Sequence, residues 1–171
     1  MQPAFLQRLY RHMEWADALT WRIVLAKDAT RRDDYILDSL VHLHLVQRAH
    51  LAVWTEQEVV TPGRDDFAGP VEIRDWGRSY HAQAADFLDK LMDPRLAEVV
   101  PLPAAWTDLI DKEIGGSPAP ARLGDLMFQV PAHSIHHRAQ INRRIREVGV
   151  SPGMVDYIGW VWRGEPPADW G

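Results

Sequence analysis

His133 and His137 stand four residues apart in the stretch HSIHHRAQINRRIREVG. On a helix they project about 40° apart and lie about 6 Å apart along the axis, close enough to meet one metal ion. Leu126, Val130, Ile141 and Val148 project within about 80° of His133, so the pair falls on an apolar stripe. His136 points away from that stripe. An HxxxH pair on a helix is more often one core residue and one exposed residue. Burial of both changes the balance, because adjacent buried imidazoles each need a partner and one metal serves both.

An open metal site takes three protein ligands. The candidates for the third are His42, His44 and His50 in one segment, LVHLHLVQRAHLAVW. His42 and His44 lie about 200° apart on a helix and cannot share a face. The His42 face carries Tyr35, Leu45, Val46, Ala49 and Val53. The His44 face carries Leu37, Leu40 and Leu51, flanked by Gln47, Arg48 and Thr55. This weighting turns His42 inward, with His44 as the alternative. The predicted site is His42, His133 and His137. A histidine-only set suits zinc, nickel, copper or iron, and a divalent ion, zinc or nickel first, is the expected cofactor. The chain has no cysteine, which excludes disulfides, thiolate ligands and a cysteine nucleophile. Any thiol chemistry must take its thiol from a cosubstrate.

Four long amphipathic segments position these residues. The first runs from about Pro3 to Leu25, with Leu6, Leu9, Tyr10, Met13, Ala16 and Leu19 at three- and four-residue steps. Asp28 to Asp34 reads as a loop, with Asp33 or Asp34 capping the second helix. That helix runs from about Tyr35 to Glu58 and stops at Thr61-Pro62-Gly63. The third runs from about Val71 to Met92 and ends at Asp93-Pro94. Leu96 to Gly116 reads as a long connection with a short extended pair. The last long helix runs from near Pro120 to Gly149, a left-handed stop, and Pro131 inside it is expected to bend it. A short helix near Met154 to Arg163 and a Pro-rich tail complete the chain. The pattern predicts an all-α, four-helix bundle with one long crossover and a short C-terminal helix, as one domain over residues 1–171.

Composition narrows the function classes. Nineteen Lys and Arg against 24 Asp and Glu give a net charge of −5, which argues against a nucleic-acid partner. No run of 18 apolar residues occurs, so no membrane span is expected. Arg8, Arg11 and Glu14 interrupt the start where a signal peptide needs an apolar block, and a cytoplasmic location is expected. The second helix is apolar almost all round. Its strip of Leu37, Leu40, His44 and Leu51 predicts a homodimer that covers it.

Three stretches, HMEWADAL, LVHLHLVQRAHLAVW and HSIHHRAQINRRIREVG followed by DYIGWVW, together resemble the DinB-like family of bacterial four-helix bundles. The order and spacing of the three carry the resemblance, which extends from about Leu6 to Trp162. It implies a metalloprotein whose ligands fall on His42, His133 and His137. Gln47 replaces a common Glu five residues after the first ligand. Some relatives are metal-dependent transferases or isomerases that use a low-molecular-weight thiol, and a small-molecule electrophile is the implied partner. A metal-dependent hydrolase and a non-enzymatic metal-binding or stress-associated protein are the competing readings. Arg138, Arg143, Arg144 and Arg146 either receive a thiol's carboxylates or form a solvated basic face, and the helix dipole favours the second. Asp17, Asp156 and Gln47 are the candidates for a general base, without a signal that separates them. Trp15, Trp54 and Trp160 read as core packing before pocket lining.

Overall fold

Prolines, an aspartate and glycines punctuate the chain, and the computed structural model, which describes residues 2–171, converts them into helix ends. α1 (Pro3–Ala26) opens on Pro3, whose missing N–H is harmless in a first turn. A one-turn helix, α2 (Asp28–Arg31), occupies the stretch expected to be a loop. It forms because the buried Thr30 hydroxyl donates to Val24 O at 2.8 Å and folds the chain back on α1. α3 (Asp34–Trp54) begins at Asp33, whose carboxylate accepts from the Ile36 N–H at 3.0 Å. It ends four residues before the expected stop. α4 (Pro70–Asp89) again opens on a proline.

The sequence predicts no helix between α4 and the last long helix. The structure has there a 3₁₀ turn (Asp93–Ala97), one antiparallel bridge between Val99 and Arg122, and α5 (Ala104–Ile114). The bridge is the extended pair. α5 corrects the reading: Trp106, Leu109 and Ile110 have helical spacing, and Gly115 at φ 71° ends the helix. Flanking prolines and the Gly115-Gly116 pair conceal it. α6 (Leu123–Glu147) runs through Pro131 as one continuous helix and stops short of Gly149 at φ 80°. α7 (Tyr157–Trp162) is the short C-terminal helix.

α3 packs beside α4 and α6, and α1 packs beside the same two. The result is a four-helix bundle in which α1 and α3 face each other across the interior. Two apolar clusters fill it. One joins Leu6, Met13, Tyr80, Met127 and Val130; the other joins Trp21, Ile36, Leu40, Ile73 and Ile141. Each such side chain contributes about 1.5–3 kcal/mol by leaving water.

A buried polar layer separates the clusters. Asp17 accepts from Arg138 Nη1 at 2.5 Å and from Gln47 Nε2 at 2.8 Å, and His81 Nε2 lies 3.2 Å from the same carboxylate. Gln47 also donates to Ser134 Oγ at 3.1 Å. Trp21 Nε1 donates to His44 Nε2 at 2.8 Å. Indole N–H only donates, so the His44 proton sits on Nδ1 and is donated to Gln47 Oε1 at 2.8 Å. All four long helices meet in this layer. Burial pushes the Asp17 carboxyl up; the Arg138 guanidinium, His81 and His44 together outweigh burial and hold it well below the usual carboxylate range. Burial pushes His44 down to about 4.

The layer corrects two expectations. His44, placed on the outer face, is fully buried, whereas His42 is exposed. The strip of Leu37, Leu40, His44 and Leu51 is covered within the same chain: Trp76 meets the His44 ring edge-on, and the leucines join the two clusters. The strip therefore supplies no ground for a second subunit. No described helix is long and apolar enough to cross a membrane.

Gly77 lets α4 approach His44, since a Cβ there would overlap the imidazole ring. Gly77→Ala should lose about 1–3 kcal/mol of stability through overpacking, despite the helix propensity gained. Urea unfolding measures it, and wild-type stability in the variant would contradict the packing. Acid should also weaken the fold. The unfolded chain holds a proton on His44 below about 6.5 while the folded chain refuses one until about 4. Stability is therefore complete above pH 6.5 and declines as pH falls toward 4, with Asp17 extending the loss at lower pH. Unchanged stability between about pH 7 and 4.5 would contradict a neutral buried His44.

Candidate metal centre

His42 on α3 faces His133 and His137 on α6. Ring centroids are 5.3 Å apart for His42 and His133, 4.6 Å for His42 and His137, and 4.2 Å for His133 and His137. One donor nitrogen from each lies within 4.8 Å of the others. The Nε2 atoms of His133 and His137 are 3.0 Å apart. A metal with bonds of about 2.0–2.1 Å spaces two nitrogen donors about 3.0–3.5 Å apart, so this pair has the right spacing for one ion. The three residues chosen from sequence are brought together, and Pro131 does not displace the pair.

The electrostatics fit a cation. Burial, then the neighbouring His137 and His42, hold His133 down to about 4. Burial and His42 lower His137 as well. Crowded imidazoles resist protonation, and neutral imidazole is the form that binds metal. Among the described residues this is the one group of three histidines or carboxylates close enough to share an ion.

The centre lies at the edge of the bundle, and its surroundings explain why His42 is exposed. Leu45, Val46 and Ala49, read from sequence as the buried companions of His42, line a chamber of about 480 Å³. α5 covers the chamber with Trp106, Leu109 and Ile110. An apolar helix face thus meets a cavity here and not the core.

The remaining candidates lie elsewhere. Asp17 and Gln47 are committed to the polar layer. Asp156 lines a separate pocket, with Tyr157 and His12. Arg138 is buried against Asp17, which corrects its placement on a solvated face. Arg143 pairs with Glu147, and Arg144 with Asp33. Arg146 donates to Asn142 O. None of the four lines the chamber. Trp15, Trp54 and Trp160 are buried packing residues. Sequence reasoning misses Trp106, because it misses the helix, and weighs His50 only as a third metal ligand, whereas it lines the chamber. The signal for His50 is its place among the apolar residues that flank His42.

No curated protein matches the chain. The model of the DinB family matches residues 1–166, nearly the whole chain, including both helices that carry the clustered histidines. The chain belongs to the DinB family.

Proposed function

We propose that this protein is a metal-dependent enzyme that transfers a low-molecular-weight thiol to a small apolar electrophile. The observation that carries the proposal is the meeting of three imidazoles with an apolar chamber that two of them, His42 and His133, help to line. His42, His133 and His137 hold a divalent ion, zinc or nickel, and three ligands leave a position open. A cation there lowers the pKa of a thiol or water that reaches it and supplies a nucleophile near neutral pH. Val46, Leu102 and Trp106 hold the electrophile by apolar contact and exclude water. The wall favours a thiol over water as nucleophile. Its polar side chains beyond the two histidines of the centre are His50, Thr61 and Gln129, with no carboxylate to orient a water. The absence of cysteine leaves no internal thiol to compete.

His42→Ala, His133→Ala and His137→Ala should each drop bound metal from one per chain to near zero with helicity retained. If His44→Ala removes the metal and His42→Ala keeps it, the ligand set is wrong. Chelation should leave a helical protein with a lower melting temperature. Free metal at about 100 times its Kd adds about 2.7 kcal/mol by linkage, and the apolar clusters support the fold without it. A cobalt-substituted centre should change its visible spectrum when thiol is added. Complete unfolding on chelation, or a spectrum indifferent to thiol, contradicts the proposal.

A further inference from the structure

The chamber beside the histidines is apolar on nearly every side, and His50 is the exception that has no structural task at one of its nitrogens. His50 Nδ1 lies 2.9 Å from Val46 O. A carbonyl only accepts, so the ring proton sits on Nδ1 and Nε2 carries a lone pair. Nε2 has no hydrogen-bond partner among the described residues, and it is not sealed from solvent. The ring packs against Trp106 of α5 with centroids 4.9 Å apart. α5 itself has no fully buried residue; Leu109 is 60% exposed although it lines the chamber. His50 follows His42 by eight residues, about 12 Å along α3, and lines the same chamber.

We infer that the chamber takes an elongated, mostly apolar small molecule, of fused-ring size, that lies against His42 and His133 and donates a hydroxyl or N–H to His50 Nε2. The volume of about 480 Å³ lies within the range of small-molecule sites. His50 is a specificity residue: it accepts one hydrogen bond in a wall that offers few others, and an analogue without the donor leaves that nitrogen unpaired. Burial lowers the His50 pKa and keeps the ring a neutral acceptor. The inference deepens the thiol-transfer reading by naming the shape of its electrophile. The anchoring contact itself needs no metal.

The test uses two probes of nearly equal shape, 2-naphthol and 2-methylnaphthalene, titrated into the full chain with and without zinc. In the wild type, 2-naphthol should gain a preference that His50→Phe reduces about three- to ten-fold, while 2-methylnaphthalene keeps its affinity. His50→Gln, which retains an acceptor, should restore part of the preference. Trp106→Ala should weaken both probes alike. In the wild type the ¹⁵N resonance of His50 Nε2 should move with 2-naphthol and stay with 2-methylnaphthalene, a readout that needs no variant to fold. An equal preference in wild type and His50→Phe, an unmoved resonance, or no binding of either probe overturns the inference. Failure of the chain to bind zinc, with the naphthol preference intact, overturns the metal reading and leaves the His50 anchor standing.

Discussion

The buried carboxylate of Asp17 sets the arrangement of the bundle. It is charged, it lies in the middle of the core, and it draws a donor from each of two helices, with His81 of a third at 3.2 Å. Removing one partner of such a pair leaves an uncompensated charge and costs about 3–5 kcal/mol. Apolar clusters tolerate sliding and rotation better than this layer does, because an apolar side chain that leaves one neighbour packs against another. A hydrogen bond displaced by a helix turn has no substitute. The apolar clusters above and below supply the bulk of the stability, and the polar layer selects one register among the packings they would accept.

That register places the histidines. Ser134 and Arg138 are the immediate neighbours of His133 and His137 on α6, and His44 and Gln47 belong to the same stretch of α3 as His42. Each helix therefore shows the polar layer on its inner side and residues of the histidine cluster on the adjoining side. Gln47 bonds to Ser134 and Asp17 to Arg138, which fixes the rotation of α6 against the rest of the bundle. On α6 the bonds from Ser134 and Arg138 stand one residue away from His133 and His137. This is how a site at the edge of the bundle, open to a chamber, is held without a fourth side chain of its own.

The helices and the three histidines that meet are legible in the sequence, and the inside of the bundle is not. Three- and four-residue spacing marks the four long helices, and the i, i+4 pair marks His133 and His137. Helical periodicity does not tell which of His42 and His44 faces the core, because it reports apolar faces and α3 has two. One meets the core, where His44 is fully satisfied by Trp21 and Gln47. The other meets the chamber, where apolar residues line a cavity. A hydropathy pattern does not distinguish them. The strip that suggests a second subunit is the core face itself. α5 escapes a reading of the sequence because its flanking prolines and glycines resemble those of a loop, and its apolar residues answer to a cavity rather than to another helix.

The claim that the polar layer holds the metal centre in register is tested most directly by the cobalt affinity of Gln47→Leu. This change touches none of the three histidines, keeps the side-chain volume nearly constant, and removes the bonds from α3 to Ser134 and Asp17 together with the acceptor of the His44 proton. If the layer positions the centre, the variant stays helical and binds cobalt about 10- to 100-fold more weakly than the wild type, the loss seen when groups that orient ligands are removed. Wild-type affinity in a folded Gln47→Leu protein would contradict the account.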